Sequence, residues 1–373
     1  MKRATRILAA LLCVLLLLPT VVFAEAQPSL EKQIAQSAEG MSALGGKKGE
    51  LLKDRELFPA GDSVCDWLAI AMALSGTRES YSDYLAELKA HVEDAYAKNG
   101  CLDCNKATEY HRIALTVLAL GGDPTNFGTK PDGSAIDLIA EGTYNYARDP
   151  GAQGLNGWIW ALLALDAEDT EVPDDARYSR EDMVNAISVA QEPDGGFGLI
   201  PGKSDVDITA MAVQALAPYR DQLETEIDAA LTYLSSQLTD TCGYIAYGDE
   251  NAESTAQVIL ALCALGIDPE TDSRFVKGEH TLLTELSQFR EADGTYHHVL
   301  EGAGDGLATA QSVLALVAVQ RVRSGQPWVL HFDGTQAPRE ASGTNGIICA
   351  VIGAVVVIAA GAIYIIGRKR KKA

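Results

Sequence analysis

TAMAVQAL (209–216), TAQVILAL (255–262) and TAQSVLAL (309–316) are three copies of one short apolar pattern. Weaker copies precede them: WLAIAMAL from Trp67, IALTVLAL from Ile113 and WIWALLAL from Trp158. The six starts fall 45 to 54 residues apart, a period that marks a stacked or closed array of structural repeats. Each copy is apolar nearly all round, which predicts a helix buried on every side. Between the copies lie longer amphipathic segments, at 29–44, 81–96, 137–147, 180–191, 226–238 and 280–289. Strand signals are nearly absent, and the β-branched residues fall on helical spacing. Six buried helices alternating with six half-buried ones predict an all-α α6/α6 toroid, an inner ring wrapped by an outer one. A linear solenoid would leave one face of every inner helix wet, and these sequences do not suit that.

The repeats fill the middle of a 373-residue chain. Residues 1–24 read as a signal peptide: Lys2, Arg3 and Arg6 lead into an apolar run that closes on Val22-Phe23-Ala24. Residues 347–366 carry no charge and are long enough to span a bilayer, and the basic run Arg368–Lys372 follows. The expected organisation is therefore a signal peptide (1–24), a toroid (25–325), a linker (326–346), a transmembrane helix (347–366) and a basic cytoplasmic tail (367–373). That places a single-pass protein in the cell membrane with its toroid outside. With the basic residues of both ends set aside, 22 Lys and Arg stand against 51 Asp and Glu, a net of about −29. Such a charge disfavours nucleic acid and anionic lipid surfaces, and leaves a small molecule or a cell-surface partner.

QEPDGGFG (191–198), with looser copies at 235–244 and 287–296, resembles the glutamine–glycine–aromatic repeat of squalene cyclases and protein prenyltransferase β subunits. DVDITA (205–210) is similar to the D-x-D-D-T-A acid motif of class II terpene cyclases, with Ile208 in place of its fourth acid. The chain as a whole resembles secreted bacterial proteins with prenyltransferase/squalene-oxidase repeats, related to cobalamin-carrier toroids. The resemblance spans roughly residues 30 to 325 and implies the α/α toroid of the terpenoid cyclases and prenyltransferases. It implies that Asp207 stands where the cyclases keep their proton donor. It also implies that Asp207, Thr209 and Ala308 stand where the prenyltransferases keep the aspartate, cysteine and histidine of their zinc site, so that site is expected to be missing. A corrinoid is the ligand that the carriers suggest, but they hold it against a second domain for which residues 325–345 leave no room.

Aligning the six copies stacks their heads into rings. One level holds Ser63, Glu109, Gly154, Asp205, Asn251 and Asp305; the next holds Cys65, His111, Asn156, Asp207, Glu253 and Leu307. A deeper layer holds Ala69, Leu115, Trp160, Met211, Gln257 and Gln311. An acidic rim over a partly aromatic floor suits a small-molecule pocket. Asp, Ser and Asn at helix heads also serve as N-caps. Asp205 is expected to cap its helix. Asp207 lies roughly 200° around from it and is expected to face the cavity. The expected ligand-binding set is Asp207, Glu253, Asn156, His111, Glu109, Asp305, Trp160, Gln257 and Gln311. Cys65, Cys101, Cys104 and His111 form a candidate zinc site on the same rim, against which stands a disulfide between two of those cysteines.

Three functions remain. The preferred one is a non-catalytic receptor that captures a small molecule at the acidic mouth. The second is an enzyme that uses Asp207 as a general acid on a polyprenyl chain, or pairs Asp207 with Glu253 or Glu109 on a glycan. Trp67, Trp158 and Trp160 are the aromatic walls such a cyclase needs. The third is an interaction scaffold whose toroid holds nothing.

Overall fold

A computed structural model describes residues 28–341, apart from Gly45, Lys47, Tyr247, Thr335 and Gln336. The segments read as signal peptide, transmembrane helix and tail lie outside the described residues. Among the described residues no helix is long and apolar enough to cross a membrane.

Among the described residues twelve α-helices alternate between two layers. The outer ones are α1 (Leu30–Ala43), α3 (Tyr81–Asn99), α5 (Leu138–Gly142), α7 (Arg180–Ser188), α9 (Glu224–Ser236) and α11 (Leu282–Leu286). The inner ones are α2 (Ser63–Leu74), α4 (Ala107–Ala119), α6 (Asn156–Asp166), α8 (Val206–Leu216), α10 (Ala252–Ala264) and α12 (Gly306–Arg323). Each inner helix packs on the next, and α12 returns to pack on α2, so the ring closes. Closure excludes the solenoid. It also explains why the inner sequences are apolar all round: two neighbours, an outer helix and the ring's centre cover every face.

The outer-to-inner connections carry the repeated glycine–aromatic turns, and their backbone needs dictate the residues. In QEPDGGFG, the Gln191 side-chain amide donates to the carbonyls of Gly195 (2.9 Å) and Glu226 (2.7 Å), tying the turn to the start of α9. Gly195 is left-handed (φ 86°), and a Cβ there would lie 2.6 Å from the Ala229 carbonyl oxygen. Phe197 then plugs into the core, and its N–H donates to Thr209 Oγ1 at 2.8 Å. The turn before α12 repeats this, with the Tyr296 N–H donating to Thr309 Oγ1 at 2.9 Å. The threonines that open TAMAVQAL and TAQSVLAL thus bolt each turn to its inner helix.

Residues 326–341, read from sequence as a linker, are part of the toroid. Val329, Leu330 and Phe332 are buried. The Phe332 N–H donates to the Ala167 carbonyl (2.7 Å), and Arg339–Glu340 pairs in parallel with Arg78–Glu79. The linker reading failed because a five-residue apolar stretch outside the repeat period gives no periodic pattern to read.

Candidate functional site

All six inner helices start at the same end of the ring. The cap residues there settle the two aspartates that head α8. Asp205 is the N-cap and accepts from the Ile208 N–H at 2.9 Å. Asp207, in the first turn, lines a central cavity of about 140 Å³ together with Trp67, Trp160, Met211 and Glu253. Below them run Gln214, Gln257 and Gln311, and Leu260, Leu314, Val329 and Leu330 complete the walls and floor.

The chamber's polarity is unevenly satisfied. Gln214 donates to Gln257 Oε1 (2.8 Å), and Gln257 donates to Gln311 Oε1 (2.9 Å), so the three amides form a chain across three helices. Glu253 accepts from His298 Nδ1 at 2.8 Å. Asp207 is less well held: its Oδ1 and the Ser254 Oγ beside it are both buried without a hydrogen bond of normal geometry, and the serine hydroxyl still lies near enough to steady the carboxylate. Burial pushes the Asp207 carboxyl up to about 6; the nearby Ser254 hydroxyl opposes this, and Asp205 and Glu253 add repulsion. Burial also raises Glu253, with the His298 hydrogen bond pulling the other way. A carboxyl poised between its two forms, in a chamber it shares with Glu253 and three glutamines, can donate or accept a hydrogen bond or pass a proton.

Trp67 and Trp160 meet across the ring with centroids 5.3 Å apart. They separate this chamber from a second of about 170 Å³, lined by Ser63, Thr108, Glu109, Arg112 and Asn156 beside the same two indoles. Arg112 is fully engaged there, bound to Asp66 (2.9 Å), Glu109 (2.8 Å) and the Gly61 carbonyl (2.8 Å). Asp66 itself is buried and accepts from Tyr84 (2.7 Å).

The residues singled out from sequence divide accordingly. Asp207, Glu253, Gln257, Gln311 and Trp160 line the first chamber, and Glu109 and Asn156 the second. Asp305 caps α12, accepting from Leu307 (2.8 Å) and Ala308 (2.9 Å), and its charge reaches Glu253. His111 does not reach the rim. It is buried against the outer layer with Nε2 2.7 Å from the Gly142 carbonyl, and burial lowers it to about 4. Trp158 also points outward, edge-on to Tyr178.

Two register corrections share one cause. The first two inner helices start earlier than aligned apolar runs place them, after caps at Asp62 and Lys106. Trp67 and Arg112, not Ala69 and Leu115, therefore front the chambers, and Ser63 and Thr108 replace Cys65 and His111. A helix apolar all round carries no face by which to set its register.

The four-residue zinc site does not assemble. Cys101 and Cys104 are joined in a disulfide. Cys65 is buried, and burial with Asp62 and Asp66 nearby pushes its thiol up to about 12. Among the described residues no three His, Cys, Asp or Glu converge on a metal position. Gln214, Arg112 and the floor pair Val329–Leu330 were not anticipated. A third buried glutamine on the same helical face as Asp207 and Met211 was the available signal for Gln214.

No family model matches the chain. It is 24% identical over 302 residues to a drimenyl diphosphate synthase of Streptomyces showdoensis, covering 77% of this chain and 56% of that one. The chain therefore spans just over half the length of this curated relative. Protein geranylgeranyltransferase-I of Candida albicans, solved with GGPP, superposes with a TM-score of 0.53 at 10% identity, over 80% of this chain and 95% of that one. A type II terpene cyclase from Scytonema, solved with geranylgeranyl dihydroxybenzoate, aligns at a TM-score of 0.45 and 13% identity, over 79% and 99%. The fold is the α/α toroid of protein geranylgeranyltransferase-I, in keeping with the glutamine–glycine–aromatic turns.

Proposed function

We propose that this toroid binds a small molecule with a polar head and a short apolar body, of isoprenoid type, and does not transform it. The observation that carries the reading is Asp207, which lines a chamber shared with two indoles, a methionine and aliphatic side chains and has one buried oxygen, Oδ1, without a hydrogen-bond partner. A ligand hydroxyl donating to the carboxylate from the chamber would add a hydrogen bond to a charged group, a contact worth about 1.5–3 kcal/mol. A chamber of about 140 Å³ suits a guest of about benzene's size, one isoprene unit and at most part of a second. The isoprenoid relatives support that ligand class. The body is held outside the cell by a helix over 347–366, an arrangement supported by the uncharged stretch and its basic flank.

Titration of the full chain with geraniol, followed by Trp67 and Trp160 fluorescence, tests this. Saturable quenching that weakens about tenfold in Asp207→Ala is expected. Absence of saturable binding would contradict the reading.

A second reading is favoured by the same carboxyl. Asp207 held near 6 by burial is a neutral acid over part of the physiological range, which a proton-initiated cyclisation needs. Its O–H bond would break as a C–H bond forms on an alkene carbon. The positive charge left on the neighbouring carbon would face the indoles, and a later C–H loss would return the proton. Ile208, where the cyclase motif has its fourth acid, weighs against this. Incubation with geranyl and farnesyl diphosphate, with product analysis after phosphatase treatment, separates the readings. A cyclic product lost in Asp207→Asn would establish the enzyme.

A further inference from the structure

Below the inner ring the chain makes one crossing that belongs to no repeat. After α12 it turns back under the hole, and the Arg321 guanidinium holds it by donating to the carbonyls of Trp328 (3.1 Å) and Val329 (3.4 Å). The crossing has two faces. Val329 and Leu330 form the floor of the Asp207 chamber. Trp328 and His331 line a separate groove of about 540 Å³ on the far side, at the C-terminal ends of the inner helices. Gln214 lines both spaces, so little beyond the crossing itself stands between them.

We propose that the Trp328–His331 strap sets ligand length, with Val329 and Leu330 as specificity-determining residues that stop the apolar tail of a ligand whose head is at Asp207. This deepens the isoprenoid-binding reading and rests on it. The polar group that fixes the head is at the helix N-termini, so a bound tail must run down the ring axis towards the strap. Through the first chamber, each added methylene leaves water and strengthens binding. At the strap that gain stops, because a longer tail meets two buried side chains on a crossing pinned by the Arg321 guanidinium. Removing their bulk would join the chamber to the groove, whose Leu163, Pro218 and Trp328 offer apolar surface for a further isoprene unit.

The test compares prenol, geraniol and farnesol on the detergent-solubilised full chain, in parent, Leu330→Ala and Val329→Phe, each checked by thermal melting. In the parent, geraniol should bind more tightly than prenol, and farnesol no more tightly than geraniol. Leu330→Ala should make farnesol bind at least tenfold more tightly than geraniol, with a new change in Trp328 emission. Val329→Phe, which fills the floor instead of opening it, should cost geraniol at least tenfold relative to prenol. If Leu330→Ala fails to fold, the Val329→Phe arm decides alone. A parent that binds the alcohols but shares one chain-length profile with its variants overturns the strap's role and leaves the binding reading standing. A parent that binds none of them removes both.

Discussion

Asp205 and Asp207 have the same side chain two residues apart, yet opposite surroundings. Asp205 accepts a backbone N–H and serves the helix. Replacing it with Ala should cost about 1 kcal/mol, a fall in Tm of a few degrees, with geraniol affinity unchanged. Asp207 is held up near 6 by burial, against an ordinary value of 3.8. Between those two values the native state binds more protons than the unfolded one. Asp207 therefore favours folding most below about pH 4, and that advantage is lost as pH rises through about 6. Asp207→Asn does not titrate, so it should gain on the parent by at most about 3 kcal/mol between pH 4 and pH 8, less what the open mouth screens. Urea unfolding of both proteins at the two pH values measures this. A parent–variant gap that stays constant across pH would contradict the assigned environment. Sequence reasoning reached this pair because a helix cap and a first-turn acid have different geometric needs. It missed Arg112 because nothing in IALTVLAL marks which side faces the ring's axis.

The helix-to-helix turns, more than the helices, make the repeat. Gly195→Ala places a Cβ 2.6 Å from the Ala229 carbonyl oxygen in a left-handed backbone. It should cost roughly 2 kcal/mol or more, since the strain of the turn adds to a clash with backbone that cannot swing aside. Chemical denaturation of the variant checks it; a loss under about 0.5 kcal/mol would mean the turn is not held as described. These turns were legible through their resemblance to the glutamine–glycine–aromatic repeat, and the structure supplies the reason for it: a glycine for positive φ, an aromatic for the core and a threonine to receive its N–H. The rim cysteines were less legible. Cys101-Leu102-Asp103-Cys104 fits a metal clip or a disulfide equally well by spacing, and only the three-dimensional positions of Cys65 and His111 separate the two.

At the scale of the molecule, the period of 45 to 54 residues and the all-round apolar helices were enough to predict a closed double ring, and α12 packing on α2 closes it. The strap escaped notice because it is a single non-repeated crossing whose meaning exists only once the ring has a hole to cross. The proposed outward orientation rests on the charge flanking 347–366; protease treatment of intact cells should then remove the toroid, and a toroid left untouched would contradict the proposal. The central claim is that the chamber under Asp207 holds the apolar body of a small ligand. Photocrosslinking the full chain with a geraniol analogue bearing a diazirine on its tail, then mapping the adducts, tests it most directly. Labels on Met211, Leu260, Leu314 or Leu330, competed by free geraniol, are the predicted result. Labels confined to the outer helices, or none that geraniol displaces, would contradict it.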